Sequence, residues 1–197
     1  MIKRFLIILV LIFYLPNLSI ADDIRDFQIE GMSLGDSLLK FFDEKDIDRD
    51  YVFPNKKFAT YADVGINFET YKGFQVFYYD DDKNFIIQYI AGKILYEDSI
   101  TECYKKMKEI VAQLKETLPN AEVNDDGIRK HTKDKSGKST AHQIFFNLGD
   151  GSEISVACSD WDKDMQKEGS HADNLAVALR SKEFAEWLNT DEAYKPD

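Results

Sequence analysis

The chain has 197 residues, and 25 Lys+Arg against 36 Asp+Glu give it a net charge of −11. That size suits one ordinary domain, and the acidity excludes sequence-independent nucleic-acid binding, which needs cations facing phosphate. With 44% hydrophobic and 13% aromatic residues, 10 Gly and 4 Pro, disordered, collagen-like and low-complexity chains are excluded as well.

Met1-Ile2-Lys3-Arg4 opens the chain, an apolar run extends from Phe5 to Leu15, and Leu18-Ser19-Ile20-Ala21 precedes Asp22-Asp23. A basic start, a short apolar core and small residues at Ser19 and Ala21 make residues 1–21 a signal peptide, cut after Ala21. The rival reading is a retained membrane anchor. A spanning helix needs about 20 apolar residues, and Pro16 and Asn17 interrupt the run before that length. The expected product is periplasmic or secreted, has no stable membrane span after cleavage, and forms a single α+β domain over residues 22–197. No Cys lies near the cut, so a lipid anchor is not indicated. Cleavage removes Lys3 and Arg4 and no acid, so the mature domain is more acidic still.

Ser33 and Asp36 have capping-box spacing, and Leu34, Leu38, Leu39 and Phe42 form a stripe, predicting a short helix over 34–43. Residues 58–64, 73–79 and 85–96 are rich in Tyr, Phe, Val and Ile and read as strands. The Asp80-Asp81-Asp82-Lys83-Asn84 segment forms a hairpin turn, and Gly92 marks a bulge. Large apolar residues fall on both faces, so the sheet is expected to be covered in part on both sides. Ser99 and Glu102 make a second capping box. Cys103, Met107, Ile110, Val111, Leu114 and Leu118 then define one face of a helix over 100–118. Residues 120–138 read as a polar loop. Alternation predicts strands at 140–148 and 153–158 around Gly149-Asp150-Gly151-Ser152. Residues 174–180 fit strand or helix, with strand preferred, and 181–188 form a closing helix. The sum is an α+β fold: a mostly antiparallel sheet of five or six strands with two helices packed on it and a short C-terminal helix.

An exported chain meets an oxidising compartment, where Cys103 and Cys158 are read as a disulfide. A catalytic thiol would need a base that no pattern supplies; two buried free thiols are the remaining alternative. Gly137-Lys138-Ser139-Thr140 has the end of a phosphate loop, but Thr132 occupies the position of its first Gly and a strand follows instead of a helix. Asp160-Trp161-Asp162-Lys163-Asp164 spaces carboxylates as a calcium loop does. Met165 and His171 stand where that loop needs Gly and Glu, and the Asp46-Asp48-Asp50 series fails likewise at Tyr51 and Lys57. Loose cation binding over 160–173 would draw on Glu168, His171 and Asp173. His131, His142 and His171 form no metal-ligand spacing, and there is no nucleophile elbow. No catalytic, metal or cofactor residue is therefore assigned; His142, His171 and Asp160 are the titratable groups to inspect first. Phe74, Phe77, Tyr78, Tyr79, Phe85 and Tyr89 fit core packing better than a ligand face.

The stretch from Asp26 to Leu39, with its Gly31-Met32-Ser33 turn, resembles the opening of small signal-peptide-bearing exported proteins of Gram-negative marine bacteria. Ile90, Gly92 and Tyr96, Cys103, and the Phe184, Trp187, Leu188 ending are similar to that family too. The resemblance covers most of the mature chain and implies fold and location, since the family has no assigned activity. The same turn is distantly similar to the small lipoprotein subunit of the outer-membrane β-barrel assembly machinery. That likeness covers a dozen residues at most, without the lipidated Cys and with Phe41-Phe42 replacing the usual Leu-Gly. The expected function is a non-enzymatic binding or interaction module of the cell envelope, with an envelope protein among the candidate partners. The alternative is a hydrolase of envelope material.

Overall fold

A computed structural model describes residues 23–64, 68–96, 99–167 and 171–195. The expected signal peptide lies outside them. Seven strands, β1 (Phe58–Val64), β2 (Gly73–Tyr79), β3 (Tyr89–Leu95), β4 (Glu122–Lys130), β5 (Thr140–Asn147), β6 (Glu153–Asp160) and β7 (Asn174–Arg180), form one sheet. Their order is β1-β2-β3-β7-β6-β5-β4, and every neighbouring pair is antiparallel. Two meanders thus meet along β3 and β7, in unbroken register from Tyr89↔Arg180 to Leu95↔Asn174. Helix α1 (Ile100–Thr117) links them, α2 (Lys163–Lys167) precedes β7, and α3 (Lys182–Asn189) follows it. The fold is α+β as expected, with seven strands instead of five or six, and of the two helices expected to pack on the sheet only the one over 100–118 forms.

Strand alternation divides the core between the two faces. On the first face, Val76 of β2, Ile90 of β3, Leu179 of β7 and Ile154 of β6 lie side by side and are buried. Cys103, Met107, Val111 and Leu114, one turn apart on α1, are buried where that helix packs on β6 and β7. The Sγ atoms of Cys103 and Cys158 are 2.05 Å apart with Cα atoms at 6.1 Å, so a disulfide ties α1 to β6. The rest of this face is covered by the N-terminal segment, through buried Ile29, Met32, Leu34 and Leu38, and through Phe42 against Tyr61 and Phe74.

That segment is not the helix expected over 34–43. It holds one 3-10 turn, Leu38–Lys40, capped by Ser37, whose Oγ accepts from Leu39 N. Asp36 does accept from Ser33 N at 3.0 Å, half of a capping box, but Ser33 Oγ donates to Phe27 O instead. Gly35 N donates to Ile87 O, Ile87 N to Asp36 O and Leu38 N to Phe85 O. A tertiary partner therefore satisfies the backbone groups that a helix would have paired internally, and Gly35 at φ +84° is left-handed. Of the apolar stripe Leu34 and Leu38 are buried and Phe42 is half-buried, whereas Leu39 is exposed.

Three further expectations are corrected. The strand expected over 85–96 starts only at Tyr89, because Phe85 turns at φ 51° and the Asp82 carboxylate accepts from Asn84 N and Ile86 N. The polar stretch 120–138 contains β4, an edge strand. Neither of its faces is fully buried, so it has no alternation to read, and a register shift between Asp125 and Ile128 bends it. Gly92 is no bulge, since it pairs in register with both Phe74 and Val177. A Cβ there would stand 2.6 Å from the Tyr71 ring, so glycine is needed for close approach. Tyr71 is held in turn by Glu30, whose carboxylate accepts from the N–H groups of Glu69, Thr70 and Tyr71. Partial burial pushes the Glu30 carboxyl up, but these three donors outweigh it and hold its pKa below the ordinary value.

Candidate functional site

The three titratable residues singled out from the sequence occupy separate surroundings. His142 of β5 faces α1, and its Nε2 lies 2.7 Å from Asp125 Oδ1. The backbone N–H of Gly127 and then His142 hold the Asp125 carboxyl low. Among the described residues no serine, threonine or cysteine side chain is hydrogen-bonded to that ring. The hollow beside it, about 220 Å³, is lined mostly by the apolar sides of α1 and β5. His171 stacks on Trp161, ring centres 4.1 Å apart, with His131 on Trp161 at 4.0 Å. Asp160 ends β6 opposite Thr140, and burial, followed by repulsion from Asp173, raises its pKa. No described hollow contains two of the three.

The carboxylates of the calcium-like series have other partners. Asp162 accepts from Asp164 N and pairs with Lys138 at 3.7 Å, Asp164 pairs with Lys138 and Lys167, and Asp173 accepts from Trp161 N and Gln166. Glu168 lies outside the described residues. The Gly137-Lys138-Ser139-Thr140 segment closes the β4–β5 hairpin. Ser139 Oγ donates to Asp134 and accepts from Asp162 N. Hydrogen bonds from Ser136, then from Ser139, hold the Asp134 carboxyl far below the carboxylate range.

The second face of the sheet carries the arrangement with chemical promise. At one corner Phe58 of β1 and Phe77 of β2 meet Phe184 and Trp187 of α3; Phe77–Phe184 and Phe58–Trp187 ring centres are 5.0 and 4.8 Å apart. Helix α3 stands there because Ser181 caps it, accepting from Phe184 N, and because Trp187 Nε1 donates to Asn55 Oδ1 at 3.3 Å. Moving inward, the residues aligned on this face are Ala91, Ala178 and Ser155 in one rung, and Ala176 and Ala157 in the next. Ala91, Ala178 and Ser155 are buried.

Between Phe77 of β2, Tyr89 of β3, Arg180 of β7, α3 and the loops at 52–54 and 132–133 lies a hollow of about 410 Å³. Its apolar wall is Phe53, Phe77, Tyr89, Phe184 and Leu188. Gln75 and Thr132 add polar atoms, and the charged side chains among the described lining residues are Lys133 and Arg180. That volume falls within the range of roughly 300–1,000 Å³ typical of small-molecule sites, as does an apolar lining with a few polar groups.

Register places Arg180. It lies directly across from Tyr89 on one side and Glu153 on the other. Its Nη1 donates to Glu153 Oε1 at 2.7 Å, with only about a tenth of each side chain exposed, and Cζ sits 5.9 Å from the Tyr89 ring centre and 5.3 Å from that of Phe145. Arg180 Nε is buried and has no acceptor. Lys93 of β3, aligned with Ala176, projects on the same face. Although its side chain is exposed, loss of hydration at its ammonium group lowers its pKa, and repulsion from Lys133 lowers it further. Lys93 and Lys133 have no carboxylate partner among the described residues.

Two other hollows of similar size carry both signs of charge. One, about 430 Å³, includes Asp23, Arg25, Asp150, Lys182 and Glu183; the other, about 400 Å³, sets lysines against Asp134, Asp162 and Asp164. The second-face hollow differs in having a continuous aromatic wall and cations alone. Phe77 and Tyr89 were assigned to the core from the sequence, and they serve both core and hollow. Phe53, Lys93, Lys133 and Arg180 were not singled out. The available signal was the alternation Tyr89-x-Ala91-x-Lys93 and Ala176-x-Ala178-x-Arg180, small residues ending in a cation on one face. No protein-family model, curated protein or solved structure matches the chain.

Proposed function

We propose that the protein is a non-enzymatic binding module of an exported, oxidising compartment, and that it takes a small molecule in the hollow on the second face of its sheet. The observation that carries this reading is the aromatic-walled hollow of about 410 Å³ with Lys133 and Arg180 in its lining. The disulfide between α1 and β6 fits an oxidising compartment, and the N-terminal sequence supports export. A hydrolase built on a Ser–His pair would need a nucleophile beside its base, and His142 with Asp125 lacks that member among the described residues.

The test is a thermal-shift and calorimetric screen of the mature domain against small aromatic and aliphatic compounds of either charge, following Trp fluorescence. Binding in the hollow requires that a hit be weakened by Leu188→Trp, which fills the space, and not by Ala112→Trp on α1. A screen without hits, or hits indifferent to Leu188→Trp, would reject the reading.

A further inference from the structure

We propose that the ligand of this hollow is a small organic carboxylate with an apolar chain or ring, its body against the aromatic wall and its anionic head among Lys93, Lys133 and Arg180. The inference rests on the reading of the hollow as a binding site and adds the chemistry of its occupant.

Three independent observations converge on it. The first is charge. In a chain of net charge −11, the charged groups among the described residues lining the hollow are cations, and the nearby Lys93 adds a third. Neither Lys93 nor Lys133 has a carboxylate partner among the described residues, and an anion beside them would offset their repulsion. The second is Arg180. Glu153 engages Nη1, yet Nε–H has no acceptor although the side chain is about nine-tenths buried. Nε itself has almost no accessible surface, so a carboxylate in the hollow, which Arg180 lines, would act on the guanidinium by charge. The third is the wall. Phe53, Phe77, Phe184 and Leu188 offer no hydrogen bond, so they select an apolar body instead of a hydrated inorganic anion. Cations set beside an aromatic wall describe an amphiphilic anion.

The lowered pKa of Lys93 belongs with this picture, because loss of hydration and the neighbouring Lys133 both penalise its charged form. An anion between the two lysines would reverse the second effect.

The test uses the mature, disulfide-bonded domain and calorimetry with decanoate, decanol and decyltrimethylammonium, below their micelle concentrations, at low and high NaCl. The expected result is one site that binds decanoate at least about ten-fold more tightly than decanol, the scale of one charge-assisted hydrogen bond. Its affinity should fall as salt rises, and the cation should not bind. Arg180 is part of the fold, so the variants are Lys93→Glu and Lys133→Glu, each expected to lower decanoate affinity at least about ten-fold while leaving decanol unchanged. Lys105→Glu on α1, an equal change in net charge on the opposite face, should leave both ligands unchanged.

Equal affinity for decanoate and decanol, or equal losses from Lys105→Glu and Lys133→Glu, would overturn the anion while leaving the binding site standing. Binding of inorganic phosphate as tight as that of decanoate would overturn the apolar body. Failure of decanoate alongside hits of other chemistry that respond to Leu188→Trp would overturn this inference only. Failure of every compound would overturn both readings.

Discussion

The two faces of the sheet are built from the same seven strands and finished in opposite ways. Beneath α1 and the N-terminal segment, Val76, Ile90, Leu179, Ile154 and their neighbours form a closed apolar layer, and Cys103–Cys158 fastens the cover to β6. On the other face a compact aromatic cluster around Phe58, Phe184 and Trp187 holds one corner. Next to it the side chains shrink to Ala91, Ala178 and Ser155, and the ionic residues Arg180, Glu153 and Lys93 take their place beyond. Large side chains on one face supply the burial on which folding depends. On the other face the aromatic cluster borders a hollow of about 410 Å³.

The largest expected effect comes from the open face. Arg180→Met leaves the Glu153 carboxylate buried without its partner and should destabilise the domain by about 3–5 kcal/mol. The double variant Arg180→Met with Glu153→Leu should recover most of that in urea unfolding, because the pair rather than either charge suits the site. A double variant as unstable as the single one would show that Arg180 acts mainly by packing on Tyr89 and Phe145.

On the closed face, Cys103→Ser with Cys158→Ser frees a loop spanning 55 residues. The chain-entropy relation puts the loss at about 4 kcal/mol. Denaturant unfolding with and without reductant measures it. Native-state hydrogen exchange should rise first in α1 and β6, while α3 on the opposite face keeps its protection.

A smaller effect is expected where Tyr71 lies on Gly92. Gly92→Ala drives a Cβ into that ring and should cost about 1–3 kcal/mol as overpacking. Adding Tyr71→Ala should remove most of the Gly92→Ala penalty, a coupling that a double-mutant cycle reads directly.

The smallest effect is electrostatic. The folded-state pKa of Glu30 is lowered below its ordinary 4.5, so its contribution is complete above that value and is lost as pH falls through the lowered one. Urea unfolding from about pH 6 to about pH 3 should show a stability decline that is shallower in Glu30→Gln. Equal slopes would show that the three N–H donors do not favour the charged carboxylate.

Much of the fold was legible because burial on one face leaves a periodic trace. Cys103, Met107, Val111 and Leu114 fall one turn apart and specify α1; Ile144 and Phe146 alternate and specify β5. The disulfide followed from compartment and cysteine count. Residues 34–43 misled because Leu34 and Leu38 are buried at helical spacing on a backbone that hydrogen-bonds to residues 85–87. β4 was silent because an exposed edge strand buries neither face fully.

The sequence by itself determined the α+β class, the export expectation and the pairing partners available to the two cysteines, since composition and local spacing carry those properties. The tertiary structure alone decided that β3 and β7 would lie side by side, because register between strands about ninety residues apart has no local signature. That one pairing sets Arg180 across from Tyr89 and Lys93 across from Ala176. The hollow and its charge arise from it, because distant short-range choices become one surface only when the sheet closes.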